Sequence, residues 1–267
     1  MTAPAQRMRR PLQEVTPGVW VATAERWETT STVVVGDAGD CLVVDPALTA
    51  AERGALAAEI ERRGWRVVAG FSTHPHWDHV LGTVAFPGVP HWAMPEAAAW
   101  AVSHAAELAE QLSHALPGED LSGAGDLTRV PADEVTLPWV GPSAVPVALP
   151  GHSVGHAALH LPDHRALLVG DMVSDREVPL LDLDDAVALS HYGESLDAIA
   201  MLLDEGGVEL VIPGHGRVAT RAEALVRIDA DRRYLDDLQE GHPSADPRLA
   251  DEWVHAEHER QRRHFGC

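Results

Sequence analysis

Cysteine is nearly missing from this chain. Two in 267 residues, Cys41 and Cys267, are too few for a disulfide framework, so stability has to come from a buried apolar core. Cys41 opens the apolar run Cys41 to Val44 and is expected as a small core side chain; Cys267 is the last residue. Positive charge is scarce too, with 20 Lys and Arg against 41 Asp and Glu, a formal charge of -21. That balance repels polyanions. The bases Arg221, Arg227, Arg232 and Arg233 alternate with acids, as on a solvated helix face, so no nucleic-acid partner is expected. Arg7, Arg9 and Arg10 are not followed by the apolar segment of a secretory signal, and no uninterrupted apolar stretch is long enough to cross a bilayer. The expectation is a cytoplasmic protein without membrane contact. Internal repeats and low-complexity tracts are absent as well.

What is present is a dense cluster of metal-capable side chains. The apolar run Val67 to Phe71 reads as a buried strand and runs through Ser72-Thr73 into His74-Pro75-His76-Trp77-Asp78-His79. Imidazole and carboxylate suit zinc best, with iron and manganese as alternatives. The chain has 16 histidines, and an isolated one is ordinarily a surface side chain. This cluster differs because the same grammar, a strand followed by a metal-capable loop residue, recurs at His152, Asp171 and His215. Loops at strand ends let a rigid scaffold bring together residues far apart in sequence.

In chain order, residues 1–17 read as a loose N-terminal arm. Strands follow at Val19 to Ala22, Ser31 to Val35 and Cys41 to Val44, the last two joined by the turn Gly36-Asp37-Ala38-Gly39-Asp40. Asp45 is placed to tie loops beneath a metal site or to serve a turn. Residues 50–63 form an amphipathic helix with Leu56 and Ile60 inward and Gly64 as a stop. After a strand from Val89 to Met94, a helical insertion at about 95–135 combines one alanine-rich helix, to residue 115, with a Gly- and Pro-rich connection. Trp77, Trp92 and Trp100 are candidates to wall a cavity, with core packing the ordinary job of any one of them; His104 and His114 are expected on the surface. Strands resume at Ser143 to Leu149, Ala157 to Leu161, Ala166 to Val169 and Val208 to Ile212, with a helix from His191 to Leu203. Helices from Arg221 to Gln239 and Leu249 to Arg263 give a C-terminal extension, 221–267, packed on the main domain. Two strand series separated by helices predict a layered α+β sandwich.

His-Pro-His-Trp-Asp-His, followed by Gly-His-Ser-Val-Gly-His, Gly-Asp and Pro-Gly-His-Gly, resembles the metallo-beta-lactamase superfamily of hydrolases over about residues 18–220. The resemblance implies an αββα four-layer sandwich with a dinuclear metal site at one edge of its sheets. It implies His74, His76 and His152 around the first ion, Asp78, His79 and His215 around the second, and Asp171 bridging both. Two divalent ions, zinc first, would then supply a bridging hydroxide that attacks the ester, thioester or lactone carbonyl of a small molecule, with Asp78 holding the nucleophile. His156 is expected in a structural role and Thr73 as a hydrogen-bonding loop residue. Asp45, Ser72 and backbone carbonyls are the candidate partners for the outer ring nitrogens.

Asp171 in Gly-Asp-Met resembles the glyoxalase II and lactonase group. Ser174 stands where acyl-homoserine-lactone lactonases often carry a tyrosine, leaving Tyr192 to supply a phenol. The mixed-charge tail departs from the basic helical domain with which glyoxalase II holds glutathione. The alternatives are an iron-dependent oxidoreductase on the same ligand set, a non-catalytic metal-binding protein, and, among hydrolases, a beta-lactamase-like or phosphodiesterase activity. A homo-oligomer is compatible with any of these. Substrate-facing walls are expected from residues 95–135 and 174–192.

Overall fold

The computed structural model describes residues 10–46, 48–205 and 207–266. The chain runs β1 (Arg10–Thr16), β2 (Val19–Thr23), β3 (Thr30–Val35), β4 (Asp40–Val44), α1 (Ala50–Arg62), β5 (Arg66–Phe71), α2 (Gly82–Ala85) and β6 (His91–Ala93). It continues through α3 (Pro95–Ser103), α4 (Ala105–Ala115), β7 (Thr128–Arg129), β8 (Val145–Ala148), β9 (Ala157–Leu161) and β10 (Ala166–Gly170). The last elements are α5 (Ala188–Glu205), β11 (Leu210–Pro213), β12 (Ala219–Thr220), α6 (Arg221–Glu240) and α7 (Glu252–Phe265). Strands β1 to β7 form one sheet in sequence order; the other runs β12-β11-β10-β9-β8.

The side-chain alternation of the strands builds the layers. In β4, Leu42 and Val44 face inward with Val34 and Phe71, and meet Leu159, Leu161, Leu168 and Ile212 of the second sheet. Cys41 and Val43 point the other way, onto Leu56 and Ile60 of α1. In β10, Leu168 faces the first sheet, while Leu167 and Val169 meet Leu196, Ile199 and Leu203 of α5 and Ile228 of α6. The result is a mixed fold of two packed sheets with helices on the outer faces. Each fully buried Leu or Ile contributes roughly 1.5–3 kcal/mol. Helix α1 starts at a capping box in which Thr49 and Glu52 satisfy each other's backbone N–H, about 1 kcal/mol of support.

Several expectations need correction. Residues 10–16 are not an arm: Leu12 is buried, and the segment pairs antiparallel with β2 as an edge strand, where Pro11 is tolerated. Residues 1–9 and Cys267 lie outside the described residues. The alanine-rich helix is two helices, α3 and α4, meeting at His104, whose φ of −112° and ψ of 24° break the helical path. The connection after it contains β7, which extends the first sheet beside β6. No helix among the described residues is long and apolar enough to cross a membrane.

Candidate metal centre

Strands β4 and β5 are parallel neighbours in one sheet, and β10 and β11 in the other. Their C-terminal ends carry Asp45, His74 to His79, Asp171 and His215. The two sheets are pinned together at this edge, since the Thr30 N–H donates to the Gly214 carbonyl at 2.7 Å and the Ala157 N–H to the Thr73 carbonyl at 2.9 Å. His152 enters from the loop after β8. That loop turns at Gly151, whose φ of 113° places it where a Cβ would collide with the backbone of Tyr192.

The structure brings all seven sequence-predicted residues together, and all are buried apart from the half-buried His76. Donor atoms of His74, His76, His152 and Asp171 lie within 4.8 Å of one another, as do those of Asp78, His79 and His215. His76 turns its Nδ1 inward, 3.0 Å from His74 Nε2 and 3.2 Å from His152 Nε2. Asp171 lies between the groups. Its Oδ2 is 3.4 Å from His74 Nε2, 3.5 Å from His152 Nε2 and 3.3 Å from His215 Nε2, while Oδ1 is 3.2 Å from His79 Nε2. Asp78 Oδ2 approaches His215 Nε2 at 3.4 Å and His79 Nε2 at 3.6 Å. A Cβ on Gly214 would collide with Asp171 Oδ1, so the bare backbone there leaves room for the carboxylate.

The outer ring nitrogens fix which nitrogen faces inward. His152 Nδ1 donates to the Leu180 carbonyl at 2.8 Å; a carbonyl only accepts, so the lone pair of Nε2 points into the cluster. His215 Nδ1 meets Thr29 Oγ1 at 3.2 Å, His74 Nδ1 meets Thr73 Oγ1 at 3.0 Å, and His79 Nδ1 lies 3.1 Å from Asp45 Oδ2. Asp45 also accepts from the Thr73 N–H and hydroxyl at 3.0 and 2.7 Å, and therefore ties two donor-bearing stretches together. Ser72 instead donates to the His79 backbone carbonyl. His156 supports Asp171 from behind: Nδ1 donates to the Leu149 carbonyl, leaving Nε2 to accept the Asp171 N–H at 3.2 Å.

Charge is separated within the cluster. Burial holds His74, His76 and His152 below the usual imidazole range, with neighbouring histidines adding to the effect. Burial opposes charge on His79 and His215 too, but there the carboxylates override it, Asp171 foremost, and both are raised. Despite burial, these histidines hold Asp78 and Asp171 well below the carboxylate range. Neutral imidazoles at His74, His76 and His152, and two that hold a proton a cation would replace at His79 and His215, surround buried carboxylates whose Asp171 Oδ1 lacks a hydrogen-bond partner, a donor set that fits divalent cations.

A cavity of about 550 Å³ opens over the cluster. Trp77 and Trp100 wall it rather than serving only as core packing, whereas Trp92 packs between the sheets. His104 is exposed and stacks on Trp100 at 4.5 Å, and His114 reaches the cavity rim. Both anticipated segments contribute, 95–135 through Trp100 and Glu107 among others, and 174–192 through Leu180 to Asp184. The remaining wall was missed. Arg26 and Trp27 come from the β2–β3 loop, and Trp253 and Arg260 from α7. Trp27 contacts Trp77 and Trp253 with ring centroids 5.5 Å apart in each pair. Tyr192 does not line the cavity; it is buried behind the site, its hydroxyl 3.4 Å from the Asp171 carbonyl. Glu177 was also missed. It sits in the acidic connection without any motif, yet it is buried and lines the cavity; burial, with Asp171 and Asp78 adding and His215 opposing, pushes its carboxyl up to about 8.

The family model of the metallo-beta-lactamase superfamily matches residues 25–233. The chain belongs to that superfamily. Among its relatives, a hydroxyacylglutathione hydrolase of Cereibacter sphaeroides is 30% identical over 223 residues, covering 80% of this chain and 75% of the relative. One of the same description from Brucella anthropi is 29% identical over 238 residues, covering 79% and 81%. Among solved structures, a beta-lactamase domain protein from Burkholderia ambifaria shares the fold at a TM-score of 0.67 and 23% identity, over 90% of this chain and 78% of that one. A metallo-beta-lactamase family protein from Thermus thermophilus does so at 0.63 and 22%, over 85% and 83%.

Proposed function

We propose that this chain is a dinuclear metal-dependent hydrolase that attacks the carbonyl carbon of a small ester, thioester or lactone and breaks its acyl–oxygen or acyl–sulfur bond. The observation that carries the reading is the pair of buried donor groups sharing Asp171 at the floor of one cavity. In this reading His74, His76 and His152 would hold one ion and Asp78, His79 and His215 the other, with the Asp171 carboxylate, close to both groups, available to either. Two divalent cations, zinc foremost, acidify water and polarise the carbonyl when bound there. Asp78 accepts a hydrogen bond from the attacking water and orients it. His156 and Asp45 keep Asp171 and His79 in place through the transition state. Water adds to the carbonyl carbon, the carbon–sulfur or carbon–oxygen bond breaks, and the products are a carboxylic acid and a thiol or alcohol. The relatives described as hydroxyacylglutathione hydrolases put thioesters first in the order of testing.

The test is a panel of thioesters, lactones, carboxylic esters, phosphodiesters and beta-lactams, run on protein of measured metal content. Two ions per chain and metal-dependent hydrolysis of the acyl–oxygen or acyl–sulfur bond are expected. Asp78→Asn should lower kcat by about 10²–10⁴, and His152→Ala should cost one ion along with the activity. Undiminished rates in both variants, or one ion in the fully loaded protein, would sink the reading.

A further inference from the structure

Glu177 lies in the loop between β10 and α5, and its surroundings are unusual for a glutamate. It is 3% exposed, and Oε1 has no hydrogen-bond partner. A buried carboxylate is normally paired with a cation or bound to a metal. Here one near neighbour is itself a carboxylate, that of Asp171. Donor atoms of Glu177, Asp171 and His215 fall within 4.8 Å of one another, and His215 also belongs to the group with Asp78 and His79.

The backbone around Glu177 is held on both sides. The Ser174 hydroxyl donates to the His215 carbonyl at 2.8 Å and accepts the N–H groups of Arg176 and Glu177 at 2.9 and 3.3 Å. Arg248 Nη1 donates to the carbonyls of Ser174 and Glu177 at 3.0 and 2.8 Å. Arg248 is in turn fixed by Asp231 and Asp246, each at 2.7 Å. The loop is thus tied to His215 on one side and to the C-terminal segment on the other, and an unpaired carboxylate oxygen is kept beside the cluster.

Resting on the dinuclear reading, we propose that Glu177 is an additional carboxylate donor to the half-site of Asp78, His79 and His215, making it the harder of the two. The first half-site offers three imidazoles and one shared carboxylate. With Glu177 the second offers two imidazoles and three carboxylates, counting the shared Asp171. Oxygen-rich sets favour manganese and iron relative to zinc, whereas nitrogen-rich sets favour zinc. The two sites therefore differ in metal preference.

The experiment titrates the full chain, stripped and reloaded, with Zn(II) and Mn(II) against a chromophoric chelator, with elemental analysis of the product. In the wild type, the Mn(II)-to-Zn(II) affinity ratio should be on the order of tenfold higher at one site than at the other. Glu177→Gln should weaken one ion by about 10–100-fold, Mn(II) more than Zn(II), and leave the other unchanged. Glu177→Asp, which keeps the charge, should retain part of the Mn(II) preference. Equal ratios at the two wild-type sites would overturn the proposal even if no variant folds. So would a folded Glu177→Gln protein that binds both ions with wild-type affinities. A wild-type chain that takes up a single ion would instead overturn the dinuclear reading itself.

Discussion

His91 shows how one side chain can set the acid limit of this fold. It is 1% exposed, neither ring nitrogen has a hydrogen-bond partner, and the ring lies where a Cβ on Gly70 or Gly82 would collide with it. Burial pushes its pKa down to about 4. Below an unfolded value near 6.5 the unfolded chain takes up a proton that the folded chain refuses, so stability falls as pH drops from about 6.5 towards 4. Between pH 7 and 4.5 the loss is about 2.5 kcal/mol. His91→Leu, of similar volume, should remove that contribution. Urea unfolding at the two pH values checks it, and an unchanged difference between them would show that His91 is not responsible.

At the scale of elements, the loop 173–183 is held by the C-terminal helices. Arg248, beside α6, holds Glu177, and Gln261 of α7 accepts the Leu181 N–H at 2.7 Å and donates to the Pro179 carbonyl at 3.0 Å. Arg248→Ala would leave Asp231, 1% exposed, without its partner at a cost of about 3–5 kcal/mol. Chemical denaturation measures that loss, and one below about 1 kcal/mol would mean the pair bears little on stability. This wall was hard to foresee. Period-two and helical patterns located most strands and helices, and strand-end histidines located the metal cluster, because apolar alternation and ligand chemistry are both local in sequence. Trp253 and Glu177 carry no local signal. Their roles depend on how α7 packs back over a loop some seventy residues earlier, which sequence spacing does not encode. Edge strand β7 escaped for a related reason: two residues have too few alternations to recognise, and β1, though longer, shows no regular alternation, with Leu12 its one buried residue.

For the molecule as a whole, ion binding and folding are expected to be linked. Asp45, Asp78, Asp171 and Glu177 are all buried around one point in a chain of formal charge -21, so cations there relieve repulsion as well as cross-linking two sheets. Each ion at a hundred times its Kd adds about 2.7 kcal/mol. Stripping both ions with a chelator should therefore lower Tm by about 10 °C or more. Differential scanning calorimetry with and without chelator makes the comparison, and coincident transitions would contradict the linkage.

The cluster also has a history within each molecule. His79 and His215 face each other across 3.4 Å but stand 136 residues apart in the chain. At a synthesis rate of about 5–20 residues per second, the ribosome makes the first roughly 7–27 s before the second. Throughout that interval the His74–His79 loop offers its donors without His215, and for the first part of it without any strand of the second sheet. An ion captured then sits in an open, exchangeable half-cage. On the dinuclear reading the closed pair of sites forms only once Gly214 docks on Thr30, so the finished protein's metal content would be set by exchange as the sheets come together, not by the first ion met.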